Sequence, residues 1–162
     1  MAKEQLSAAY LAGLFDGEGS LFITVRVVPR KSPTHALKLV ITNTYKPILE
    51  RIQRQFGGAV YRKARSVTTP PSVRECWFWV TGAWKAAEFL RYVKDDAIIK
   101  QSQIEVALEF QERLDAVFRE HGRKRHTGGR HRPGQSMTSP LEIEARQSLK
   151  ETLSRLNHGE AA

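Results

Sequence analysis

Cysteine is nearly absent, with Cys76 the only one in 162 residues. One thiol excludes an internal disulfide and a cysteine-built zinc site. Its apolar neighbours predict a buried, inert side chain. Long apolar runs are missing too. Nothing approaches the roughly 18 consecutive apolar residues of a membrane span, so no membrane partner is expected. The opening MAKEQLSAAY carries two early charges and no apolar segment after them. That predicts no secretion or targeting signal and an intracellular protein. The third scarcity, of acids, is the most informative. Net charge is +9. From Ser20 to Arg74 there are eleven Lys or Arg and one acid, Glu50. Between Arg119 and Arg132, six Lys or Arg face only Glu120. Such a bias points to a polyanion, nucleic acid first and an anionic membrane second. The plain alternative is a solvated basic surface.

What remains is a globular composition, 41% hydrophobic and 27% charged, long enough for one domain with a real core. Glu4 to Phe15 reads as a helix. From Ser20 the period changes to two: Leu21, Ile23, Val25 and Val27 alternate with Phe22, Thr24, Arg26 and Val28, a strand. PRKSPTH has turn composition, and Leu37 to Thr42 is the second strand of a hairpin. Thr44 is positioned to cap a helix with Pro47 in its first turn. Gly57 and Gly58 end that helix. Residues 60–67 and 73–81 read as two more strands, and Ala83 to Val93 and Ile98 to Arg119 as helices. Ser139-Pro140-Leu141-Glu142 is a capping box opening a last helix to about Asn157. The expected fold is α+β, an αββαββα core with helices on one face of a curved antiparallel sheet, plus a C-terminal helix. Its expected divisions are a core over 1–120, a basic linker over 121–138 and the helix and tail over 139–162.

The sheet's free face is expected to carry Thr24, Arg26, Lys38, Val40 and Thr42. Tyr61, Lys63 and Arg65 join them if Val60 points inward. In the fourth strand Cys76, Phe78 and Val80 suit the core, which leaves Trp77 and Trp79 outside. A one-residue slip would reverse that. A basic, aromatic-bearing sheet face fits a DNA major groove. A face covering another protein or subunit is the alternative.

The stretch YLAGLFDGEGSL, Tyr10 to Leu21, carries the most specific signal. Ala9, Gly13 and Gly17 recur every four residues on one helical face. A face so bare admits a second backbone, or packs tightly on the chain's own sheet. Asp16 and Glu18 stand where the helix carbonyls are already negative, which is unfavourable without a compensating cation. Mg²⁺ held by one or two carboxylates with water and phosphate would supply it.

Leu11-Ala12-Gly13-Leu14-Phe15-Asp16-Gly17-Glu18-Gly19 closely resembles the motif naming the LAGLIDADG homing endonucleases. The following ββαββα order, over roughly Tyr10 to Phe118, is similar to that family's. The resemblance implies Glu18 and the Gly17 carbonyl as metal ligands. Mg²⁺ is the implied metal, with Mn²⁺ or Ca²⁺ as substitutes in vitro and no cleavage in Ca²⁺. Asp16 is implied to support the helix end. Asn43 is implied near the catalytic water, and Lys100, assisted by Gln103, near the scissile phosphate. One motif without a repeat implies a homodimer on an approximately palindromic duplex. Ala9, Ala12, Gly13, Phe15 and Asp16 would then meet their copies. Ser20, Arg30 and Lys31 join the implied DNA contacts. The implied activity is site-specific double-strand cleavage with staggered ends. The rivals are a non-cleaving DNA-binding regulator and an RNA maturase that helps an intron splice.

Overall fold

In the computed structural model, the residues described are 5–64, 70, 72–120 and 138–159. Among them the chain forms α1 (Ala8–Glu18), β1 (Gly19–Arg26), β2 (Thr34–Asn43), α2 (Lys46–Phe56), β3 (Ala59–Arg62), β4 (Trp77–Gly82), α3 (Ala83–Val93), α4 (Gln101–Glu120) and α5 (Pro140–Asn157). One antiparallel sheet has the order β1-β2-β4-β3. The α+β expectation holds. The basic stretch 121–137 and Arg65 lie outside the described residues.

Local chemistry explains most boundaries. Ser7 caps α1 through its hydroxyl, which accepts from the Tyr10 amide at 3.3 Å. Gly57 (φ 72°) and Gly58 (φ 82°) end α2 in a left-handed conformation that suits glycine. Ser139 caps α5, accepting from the Glu142 amide at 3.2 Å, with Pro140 at the first helical position. The expected cap at Thr44 is corrected. Helix α2 has Tyr45 at its cap position with no side-chain bond. Asn43 supplies the turn instead, its Oδ1 accepting from the Tyr45 amide at 2.8 Å.

The core lies between the sheet and its helices. Leu21, Ile23, Leu37, Leu39, Ile41 and Trp79 face inward, against Leu11, Phe15, Leu49, Ile52, Phe89 and Phe110. Burying each large apolar side chain contributes about 1.5–3 kcal/mol. Rings join edge-to-face, Phe15–Phe89 at 5.8 Å and Phe56–Phe89 at 5.2 Å between centroids. Helix α5 adds Leu153 to this core and Leu149 beside it. Asn157 Nδ2 of α5 donates to the Leu21 carbonyl at 2.8 Å.

The fourth strand corrects the expected parity. Trp79 is 0% exposed, its indole N–H donating to the Gly57 carbonyl at 2.8 Å. Trp77 packs against the core, under the Lys46 ammonium at 4.6 Å from the ring centroid. Neither belongs to the free face. Both parities of WFWV are apolar, so hydropathy alone could not choose. The tie is broken by Trp79, whose one polar atom reaches a helix-terminal carbonyl inside. Cys76 is half-buried, not enclosed.

Candidate nucleic-acid interface and metal site

The outer sheet face is built by cross-strand pairs. Ser20, Val40, Val80 and Ala59 form one row. Thr42, Phe78 and Tyr61 form the next, with the Tyr61 and Phe78 rings 5.6 Å apart. Phe22 pairs with Lys38, and Thr24 with Ala36. Lys38, Arg26, Tyr61 and Lys63 are exposed, and Val40 and Thr42 half-buried. Thr24 is exposed, its hydroxyl donating to the Ala36 carbonyl at 3.2 Å. Arg30 (φ 61°) and Lys31 extend from the β1–β2 turn. Phe22, Phe78 and Val80 were missed from the sequence. Phe22 stood on the right parity, and the other two went unseen with the strand's reversed register.

At the end of α1 the two acids separate. Asp16 turns to its own chain. Its Oδ2 accepts from the Ile98 amide at 2.8 Å and the Ile99 amide at 3.1 Å. Its Oδ1 accepts from the Lys100 amide at 3.0 Å. Lys100 is the entry to α4, since its carbonyl accepts from the Ile104 amide at 2.9 Å. A carboxylate at the end of one helix thus binds the segment that leads into another, near that helix's positive end. The Lys100 ammonium completes the exchange by donating to the Asp16 carbonyl. Burial raises the Asp16 pKa, but the three amides and the Lys100 charge outweigh it, leaving a net lowering from 3.8. Asp16 is therefore satisfied within the chain.

Glu18 is exposed, two residues on, and its side chain makes no hydrogen bond or ion pair among the described residues. Beside it Gly17 faces open space, as does Gly13. The last carbonyls of a helix have no partner within it. One carboxylate and neighbouring carbonyl oxygens are hard donors suited to Mg²⁺. They are too few alone: among the described residues no three His, Cys, Asp or Glu cluster as a metal site. The residues present fit a metal whose remaining oxygens come from water, phosphate or another chain.

The other expected residues divide. Lys100 lies with Asp16. Asn43 is occupied by its own turn. Gln103 donates to the Leu156 carbonyl of α5 at 3.5 Å, away from that exchange. Ala9 is exposed on the open face of α1 with Gly13. Ala12 and Phe15, expected at a subunit interface, are both 0% exposed beneath α1, a correction set by the helix's own packing.

The sequence matches no protein-family model and no curated protein. Solved structures do match. One is the LAGLIDADG homing endonuclease I-GzeII in complex with its DNA target, with TM-score 0.61 and 15% identity. The alignment covers 90% of this chain and 44% of that one. This is the LAGLIDADG homing endonuclease fold. I-SmaMI, bound to an uncleaved DNA target with calcium ions, gives TM-score 0.61 at 17% identity over 93% of this chain and 45% of that one. The homing endonuclease I-CvuI, in complex with its target and calcium, gives 0.54 at 16% identity over 96% of both chains. The chain thus spans less than half of I-GzeII and I-SmaMI, and nearly all of I-CvuI. No described helix is long and apolar enough to cross a membrane.

Proposed function

We propose that this chain is a site-specific, metal-dependent DNA endonuclease of homing type, acting as a homodimer. The observation that carries the reading is the unequal fate of the two acids. Asp16 is compensated by three amides and Lys100. Glu18, at the same negative helix end, has no such partner among the described residues. A cation is the missing element. The DNA-bound neighbours and their calcium support that choice.

In this reading Glu18 and the Gly17 carbonyl hold a divalent metal. Such a metal polarises phosphate and lowers the pKa of bound water, which is the chemistry strand cleavage needs. Asp16 fixes the loop carrying Lys100, and so fixes the ammonium at the same helix end. Lys100 there offsets charge on the phosphate. Arg26, Arg30, Lys31, Lys38 and Lys63 neutralise the DNA backbone, and the sheet face meets base edges. Asn43 and Gln103 act in this reading only if DNA binding frees them from their present partners.

The open α1 face supports a second copy in this reading, since Ala9, Gly13 and Gly17 leave room for another backbone. Two copies would bring two Glu18 side chains together and supply the donors that one lacks. Spanning nearly all of I-CvuI but under half of I-GzeII is consistent with a one-motif chain that pairs with its own copy. The test is incubation with duplex spanning the uninterrupted host gene. Staggered double-strand cuts in Mg²⁺ and none after chelation support the reading. Tight site-specific binding without a cut in Mg²⁺ or Mn²⁺ would make the chain a regulator. Metal-independent binding to intron RNA alone would make it a maturase.

A further inference from the structure

We propose that the outer face over β2, β4 and β3 reads the C5-methyl groups of thymine. This rests on the DNA reading above and goes beyond it by naming what the site selects. The face is uneven. Over β1 it carries Ser20, Thr24 and Arg26, which can hydrogen-bond, with Phe22 among them. Over the other three strands Val40, Val80, Ala59, Phe78 and the ring of Tyr61 adjoin, and Thr42, which also presents a methyl group, completes the Phe78 row. Their sharing of one face follows from the pairs Val40–Val80, Val80–Ala59 and Phe78–Tyr61. Val40, Val80, Ala59 and Phe78 are only half-buried, so this apolar surface is partly open.

The chemistry of base edges decides the ligand. In the major groove each pair shows donors and acceptors, and thymine alone adds a methyl group. A valine against guanine or cytosine strips water from their polar edges and returns no hydrogen bond. Against thymine it buries a methyl group, which is favourable. The cations Lys38 and Lys63 flank the apolar half, so phosphate contact holds it against a groove. A protein partner would bury the same surface, but it would not need that flanking charge. The target is therefore expected to hold thymines at the positions under β2, β4 and β3, repeated in both half-sites.

The experiment selects bound sites from a randomised duplex pool with the full-length protein. Recovered sites are remade with deoxyuridine for thymidine, which removes only the methyl group. Binding is expected to weaken about fourfold for each contacted thymine, the fold-change of burying one methyl-sized group. Val40→Ser removes both methyl groups and leaves a hydroxyl, and its selected sites should lose the thymine preference at one position per half-site. Val80→Ser, read the same way, should relax a different position. Sites bound equally well with deoxyuridine would overturn the inference while leaving the DNA reading intact. Failure to enrich any duplex would overturn both.

Discussion

Asp16 and Lys100 hold each other through a reciprocal exchange. The carboxylate accepts from the Lys100 amide at 3.0 Å, and the Lys100 ammonium returns to the Asp16 carbonyl. Two helix ends of opposite sign, the close of α1 and the start of α4, are joined by it.

Asp16→Ala is expected to cost about 0.5–2 kcal/mol, the range for losing a side chain that accepts from orphan backbone amides. The Asp16 pKa is lowered in the fold, so its contribution is present above 3.8 and lost as pH falls through the folded value. Urea unfolding at pH 7 and pH 3 checks this. The gap between wild type and variant should narrow at the acid end. An unchanged gap would mean the exchange does not stabilise the fold.

Glycines of the same motif should respond oppositely. A Cβ on Gly19 would lie 2.2 Å from Phe15 Cδ2 and 2.5 Å from the Phe15 carbonyl oxygen. Gly19→Ala is expected to destabilise by about 1–3 kcal/mol, as overpacking does. Gly13 meets nothing within 4 Å, so Gly13→Leu should spare the fold and obstruct the second copy. Sedimentation equilibrium should find Gly13→Leu monomeric with wild-type circular dichroism. A Gly13→Leu dimer of wild-type affinity would place the interface elsewhere.

His35 should make stability depend on pH. Its imidazole is 3% exposed on β2. Burial lowers its pKa from 6.5, opposed by Gln147 and aided by Arg146 and Lys150, all on α5. The folded state therefore favours the neutral ring. Stability is full above pH 6.5 and falls below it, down to the folded pKa. Thermal melts at pH 7.5 and 5.5 should show this loss, and His35→Leu should show less of it.

Much of this was legible in the chain. Alternation placed β1 and β2 with the correct faces, because one parity of each is plainly apolar. The bounds of α3 were legible from the spacing of Trp84, Phe89, Leu90 and Val93, and those of α5 from the Ser139 capping box. Strand β4 was not, since Trp77, Phe78, Trp79 and Val80 are apolar on both faces. Its parity rests on a long-range bond, Trp79 to the Gly57 carbonyl 22 residues away in sequence. The motif's acids were legible as a pair but not in their division. Asp16 finds its partners at Ile98, Ile99 and Lys100, more than 80 positions away in sequence. Ala12 and Phe15 were misplaced for a related reason. A nine-residue motif marks a helix but does not say which of its sides the sheet covers.

The central claim is that Glu18 holds the metal that cuts. The most direct measurement compares wild type with Glu18→Gln on one duplex, by gel shift and by cleavage in Mg²⁺. The account predicts equal binding, double-strand cuts by wild type and none by the variant. Cleavage by Glu18→Gln at the wild-type rate would contradict it.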